Sequence, residues 1–202
     1  LKYLGVRYIA GQGYDDKTEL GNISMAKEPV GEIVNGVRIE QSFTVDRDSF
    51  SGVELLLATY KKDIKSDDIL NIELIDYKTG KEVFNHQVKL SKIADNRFYK
   101  INFNPIRNSA NNEYKLIVTS NADKQNAITM WKNTEDSIVG NLIINGDKKS
   151  GNIIINTLFN SIEYPIVFEG NDELKVFELD NYSDRFEIIS NVVICESEDE
   201  IL

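Results

Sequence analysis

The chain has 202 residues, of which 41% are hydrophobic and 28% are charged, an ordinary globular composition that excludes wholesale disorder. Its 33 acidic side chains outnumber its 23 basic ones, which gives a formal net charge of -10. Because binding to a phosphate backbone needs clustered Lys and Arg, this balance disfavours nucleic acid as a partner.

The first residues predict a short amphipathic turn that runs into the strand VRYIA. The stretch 13–34 is rich in Gly and in charge, and we expect it to be a connector. The chain does not open on Met, and no apolar run reaches the roughly 18–20 residues of a transmembrane helix. We therefore expect a soluble piece of a longer protein.

Apolar and polar residues alternate from residue 37 to residue 159, the pattern of strands with one buried face. Asp76 to Gly80 and Asn145-Gly146-Asp147 are hairpin signals, which favour antiparallel pairing. So many short strands predict an antiparallel β-sandwich of the jelly-roll kind. The predicted strands are 37–45, 53–60, 69–77, 81–90, 97–103, 113–119, 126–131, 139–145 and 152–159.

The C-terminal part predicts two further strands within 174–195, and Ser197 with Glu200 has the spacing of a capping box at a helix start. We expect the chain ends, 1–34 and 161–202, to form a small α/β subdomain beside a sandwich domain at 35–160.

Few residues offer catalytic chemistry. His86 is the single histidine, so any Ser-His-Asp, Cys-His or poly-His zinc arrangement has at most one histidine to use as base or ligand. We interpret His86 as an ordinary strand residue and Cys195, in an apolar strand, as a small buried hydrophobe. The chain is therefore predicted not to be an enzyme.

Carboxylates keep one enzyme alternative open, because a glycan hydrolase needs only two of them beside the sugar bond. The candidates lie in predicted turns, where Asp commonly bonds to the backbone: Asp46, Asp48, Asp67 and Asp68. The segments 46–52 and 65–69 also offer oxygen ligands for a structural calcium, although neither has EF-hand spacing. No other cofactor is indicated.

Ligand binding is expected at aromatic residues that end strands. Trp131 and Tyr60 can each present a flat face to a sugar ring, while the alternative for Trp131 is core filling. Asn96 and Arg97 follow Asp95 in a turn. They either hydrogen-bond the same ligand or simply form an Asx turn.

The segments IEQSFTV, VELLLATYKK and the long run from LNIELIDYKTG to EYKLIVTS resemble accessory domains of large multi-spanning membrane proteins of bacteria and archaea. The resemblance implies a galactose-binding-like sandwich, similar to a carbohydrate-binding module.

The chain ends carry a second resemblance, to the extracytoplasmic region of YfhO-type proteins and related polytopic glycosyltransferases. Phe177 stands where tyrosine is usual, and no Leu-Pro precedes Arg185. The matching positions are Leu4, Gly5, Val6, Tyr8, Val176, Phe177, Glu178, Asn181 and Arg185.

Together these resemblances imply a non-catalytic binding or scaffolding domain, outside the cytoplasmic membrane and held there by the parent's spans. The expected ligand is a cell-surface glycan or a lipid-linked sugar, and the alternative is a purely structural spacer. The catalytic acid of such transferases lies outside the matching region, so no catalytic residue is carried over.

Overall fold

The computed structural model describes residues 8–12, 15–19, 27–134, 140–160, 166–169 and 174–178. Within them a 3-10 turn at Leu90–Lys92 is the sole helical element, and no helix is long and apolar enough to span a bilayer. In chain order the strands are β1 (Tyr8–Gln12), β2 (Asp15–Glu19), β3 (Lys27–Pro29), β4 (Arg38–Thr44), β5 (Phe50–Ala58), β6 (Ile69–Asp76), β7 (Glu82–Lys89), β8 (Arg97–Ile106), β9 (Glu113–Ser120), β10 (Thr129–Asn133), β11 (Leu142–Ile144), β12 (Asp147–Lys149), β13 (Ile155–Asn160), β14 (Ile166–Glu169) and β15 (Leu174–Glu178).

The strands fall into two compact units, one built from both chain ends and one spanning Tyr14–Glu163. The unit of the chain ends is an antiparallel sheet in the order β1-β15-β14. Its predicted α/β character finds no support, because its described residues form strands and include no α-helix. The helix predicted at Ser197 and the strand residue Cys195 lie outside the described residues.

The larger unit is an antiparallel β-sandwich, which confirms the predicted fold class. Its first sheet has the order β2-β13-β5-β10-β3, with β8 on the opposite edge of β5. The second sheet has the order β12-β11-β4-β9-β6-β7. Alternate residues of both sheets meet in one apolar core, which is why period-two patterning predicted the layers.

An aromatic cluster lies at the centre of this core. The ring centroid of Phe50 in β5 lies 5.0–6.2 Å from the ring centroids of four aromatic neighbours. Those neighbours come from both sheets and are Phe43, Phe103, Tyr114 and Phe159. The cluster therefore joins the two layers through a single side chain of the central strand.

All of the predicted strands from 37–45 to 152–159 have a counterpart in the structure, and the Asn145-Gly146 hairpin closes β11 on β12. Both loop residues have positive φ, as a type I′ turn requires. β8 extends beyond the predicted end at 103 because Pro105 lies on an edge strand, where proline is tolerated.

The connector predicted at 13–34 differs from the structure, since it supplies β2 and β3 to the sandwich. Their sequences, DDKTE and KEP, are short, charged and without apolar alternation. Both strands lie at edges of the first sheet, where charge prevents further strand pairing and no alternation is needed.

A buried amide ties the two sheets together. Gln41 of β4 is fully buried, and its Oε1 accepts a hydrogen bond from the Ile153 backbone N–H at 3.1 Å. Its Nε2 donates to Asn152 Oδ1 at 3.0 Å and to the Ser42 carbonyl at 2.9 Å. Because Ile153 and Asn152 lead into β13, this side chain fixes the register of one layer against the other.

We predict that Gln41→Ala lowers the free energy of unfolding by about 2–4 kcal/mol, because it leaves a buried N–H and a buried amide without their partner. Urea denaturation measures the change. The matched control is Gln87→Ala, an exposed residue of the same type for which a change under about 0.5 kcal/mol is expected. Equal stability of the two variants would contradict the role given to Gln41.

Candidate functional site

One end of the sandwich brings the predicted ligand residues together. We call it the loop end, and define it by the loops 31–37, 59–68, 90–96 and 121–128. At this end β5 stops at Ala58, and β6, β8 and β10 begin. The predicted residues Tyr60, Asn96 and Arg97 lie in or next to these loops. Trp131 is the third residue of β10, where it pairs with Pro29 of β3.

An aspartate holds the loop that follows β5. Asp95 Oδ1 accepts the Thr59 backbone N–H at 2.7 Å and the Thr59 hydroxyl at 3.3 Å. Desolvation acts to raise the pKa of Asp95, but hydrogen bonds from Thr59, the Lys61 backbone and Asn96 outweigh it and hold the pKa below its ordinary value. The carboxylate therefore clamps the loop in its ionised form.

The clamp stabilises unusual backbone geometry. Tyr60 and Lys61 are consecutive residues with φ of 56° and 58°, and Asn96 on the facing turn has φ of 54°. Asn tolerates this left-handed conformation, whereas Tyr and Lys adopt it rarely. Two adjacent residues are thus held in a backbone conformation that their residue types rarely adopt.

Trp131 braces the facing turn. Its Nε1–H donates to Asn96 Oδ1 at 2.9 Å, and Asn96 Nδ2 donates to Asp95 Oδ2 at the same distance. The Lys27 ammonium lies 5.3 Å from the centroid of the half-buried indole. Trp131 is therefore neither core filler nor an open stacking face, but a partner that fixes Asn96.

We call the group Tyr60, Lys61, Asn96, Arg97 and Trp131 the aromatic corner. The Tyr60 side chain is 44% exposed, with the Lys62 ammonium 5.4 Å from its ring centroid. Lys61 and Arg97 are exposed, and their side chains form no ion pair or hydrogen bond with the part of the chain that the structure describes. The corner offers one exposed ring, two cations without a partner among the described residues, and a hydrogen-bonded amide on the adjoining turn.

A groove of about 530 Å³ lies on the outer face of the second sheet at the same loop end. We call it the sheet groove, and sequence reasoning missed it. It is lined by Asn35, Gly36, Val37, Arg38, Ile69, Asn71, Gln87, Thr119, Ser120 and Asn121. Seven of these ten residues have polar side chains, although carbon atoms make up the larger part of the surface that faces the groove, and the residues come from four neighbouring strands and two loops.

His86 has a structural place. Its Nε2 shares a hydrogen bond with the Tyr99 hydroxyl at 2.9 Å, which links β7 of the second sheet to β8 of the first. Partial burial lowers the pKa of His86 and raises that of Tyr99. The neutral imidazole is thus favoured in this contact, as expected for an ordinary strand histidine.

The candidate carboxylates lie at opposite ends of the sandwich. Asp46 and Asp48 precede β5, and Asp67 and Asp68 follow it, so the pairs are separated by the length of that strand, about 30 Å. Asp48 accepts the Ala110 N–H at 2.9 Å. Among the described residues no three side chains of His, Cys, Asp or Glu converge as metal ligands, at 46–52, at 65–69 or elsewhere.

No family model matches this chain, and no curated protein matches it. Solved structures similar to it include the infectious bursal disease virus Gt strain, with a TM-score of 0.24 and 12% identity over 88% of this chain and 36% of that one. The VP2 subviral particle of infectious bursal disease virus has a TM-score of 0.21 and 10% identity, over 86% of this chain and 41% of that one. The chain thus spans less than half of either, and similarity at this level carries no argument about function.

We predict that Asp95→Asn lowers the melting temperature at neutral pH and speeds amide exchange at Thr59 and Lys61, because the charged acceptor is lost. A depressed folded-state pKa gives stability that is present above the ordinary carboxyl pKa of about 3.9 and disappears as pH falls through the folded value. The difference in melting temperature between wild type and variant should therefore close below about pH 4. Thermal denaturation across pH checks this.

The control is Asp46→Asn, in an exposed turn where the carboxylate meets only the neighbouring Arg47 side chain at 3.5 Å among described residues. Amide exchange at Thr59 should be unaffected by it. A difference between Asp95→Asn and wild type that persists undiminished in acid would show that the clamp does not depend on the carboxylate charge.

Proposed function

We propose that this sandwich is a non-catalytic carbohydrate-binding domain of a larger surface protein, and that it holds its sugar at the aromatic corner. The observation that carries the proposal is the Asp95 clamp, which keeps Tyr60 and Lys61 left-handed with the Tyr60 ring exposed.

Backbone strain of this kind points to function. A non-glycine residue in a sparsely populated φ/ψ region costs about 1–3 kcal/mol and persists only where surrounding contacts enforce it. Here Thr59 is hydrogen-bonded to Asp95 immediately before the strained pair. Such geometry is concentrated at ligand-binding sites, because it presents side chains in a fixed direction before the ligand arrives.

The chemistry of the corner suits a sugar. A tyrosine ring supplies a rigid, amphipathic contact surface at low entropic cost, and the Asn96 turn brings polar groups beside it. Lys61 and Arg97 are exposed cations on a chain whose net charge is -10. We therefore propose a sugar with an acidic substituent, such as a carboxylate or a phosphate, as the preferred ligand.

The same proposal places the domain outside the cytoplasmic membrane, on a multi-spanning parent, with a cell-surface glycan or lipid-linked sugar as its partner. The resemblance of the chain ends to YfhO-type proteins supports this setting. Protease accessibility of the tagged parent in intact cells and in spheroplasts tests it, since a cytoplasmic domain would be protected in both.

We predict that Tyr60→Ala weakens binding to acidic oligosaccharides such as hyaluronan or polygalacturonate fragments at least tenfold, a loss of about 1.4 kcal/mol. Isothermal titration calorimetry with the intact chain measures it. Removing the ring removes the main contact surface, while the backbone clamp at Thr59 stays in place.

Tyr77→Ala is the matched control, because Tyr77 is also exposed, at 53%, and also has a lysine ammonium near its ring, but it lies in the β6–β7 turn at the opposite end. The Tyr77→Ala variant should bind the acidic oligosaccharides with the same affinity as wild type. Equal losses of affinity in the two variants, or an affinity that neither substitution changes, would show that the aromatic corner is not the binding site. The spacer alternative would then remain.

A further inference from the structure

We propose that the sheet groove is a second binding site, for an extended neutral oligosaccharide. This inference stands on residues of the second sheet and does not depend on the function proposed for the aromatic corner.

A row of polar side chains crosses the groove in strand register. Arg38 of β4 pairs with Thr119 of β9, Thr119 pairs with Asn71 of β6, and Asn71 pairs with Gln87 of β7. Residues that pair across strands share a face of the sheet. The next residues along three of these strands, Ile39, Val118 and Ile72, belong to the core, so the polar row faces outward.

The length of the row suits a chain rather than a single small molecule. Neighbouring strands lie about 4.8 Å apart, so the row is about 14 Å long across its four strands. The groove of about 530 Å³ follows this row and is open to solvent. A ligand that contacts the whole row must therefore extend across the strands.

Hydrogen-bonding capacity is left over in the groove. The side chains of Thr119, Gln87 and Asn35 form no hydrogen bond with any residue that the structure describes. Asn71 donates through Nδ2 to Glu73 Oε1 at 2.7 Å, while its buried Oδ1 has no partner in the same part of the chain. Gln87, Asn35 and Thr119 are therefore the side chains that a ligand can reach, whereas the Oδ1 of Asn71 becomes accessible only if its side chain rotates.

The walls of the groove are fixed by hydrogen bonds. Asn121 Oδ1 accepts the Ile69 N–H at 2.6 Å, and the Ser120 hydroxyl donates to the Ile69 carbonyl at 3.0 Å. On the other side Arg38 Nε bonds to Glu40 at 2.8 Å, and Glu40 also meets Lys115 at 3.1 Å. These bonds hold Asn121, Ser120 and Arg38 in place, so these three side chains lose little freedom when a ligand binds.

The lining indicates the chemical class of the ligand. Amides and hydroxyls both donate and accept, as sugar hydroxyls do, and among the described residues the lining contains no carboxylate and Arg38 as its single cation. A peptide fits less well, because the backbone groups in this row are already paired between strands and the lining has no aromatic anchor. A neutral polyhydroxylated chain matches the groove.

The test is an NMR titration of the labelled chain with maltohexaose, cellohexaose, chitohexaose and laminarihexaose at millimolar concentration, and with a Gly-Ser decapeptide. We expect at least one hexasaccharide to shift the amides of Arg38, Asn71, Gln87 and Thr119 together. Gln87→Ala and Thr119→Val should each weaken that binding at least threefold. Asn85→Ala, which lies two residues earlier on the same face of β7, should leave it unchanged.

The result separates the two sites. Groove shifts that persist in Tyr60→Ala support the second site even if the aromatic corner binds nothing. Groove amides that stay unmoved by all four hexasaccharides, shifts caused by the decapeptide alone, or equal weakening by Asn85→Ala would each overturn the proposal.

Discussion

The sandwich depends on β5, whose residues are all buried. It pairs with β8 along one edge and with β13 and β10 along the other, and its Phe50 ring centres the aromatic cluster. Its outer face is polar in part, since buried Glu54 accepts a hydrogen bond from Asn156 at 2.9 Å. Because β5 is held on both edges and both faces, the position of its end at Ala58 is fixed. Thr59 and Tyr60 follow directly after that end.

The position of the aromatic corner follows from this constraint. The Asp95 clamp joins the end of β5 to the start of β8, and the Asn96–Trp131 hydrogen bond joins that turn to β10. The sheet groove opens at the same loop end, where Asn121 and Ser120 hold the start of β6. Rigid strands thus position loops whose side chains are left free for a ligand, a common division of labour in binding domains.

Sequence patterning predicted the layers and the loop residues, but not the way they combine. Alternation located the strands because burial of one face has period two. It failed for β2 and β3, whose edge positions need no apolar face. The sequence predicted each residue of the aromatic corner except Lys61, but not the hydrogen bond between Asn96 and Trp131, which spans 35 positions. The sheet groove was missed because its row exists only after four strands have paired. An outward polar residue near the loop end of each strand was the available signal.

We propose that the loop end binds carbohydrate without cleaving it. One NMR experiment tests this most directly: the labelled chain is mixed with partial hydrolysates of bacterial cell-wall polysaccharide while protein amides and sugar anomeric signals are followed together over time. We expect constant anomeric signals and amide shifts confined to 31–38, 59–62, 69–71, 87–97 and 119–131. Shifts concentrated in the opposite loops at 45–49 and 107–112, or new reducing ends that accumulate, would contradict it.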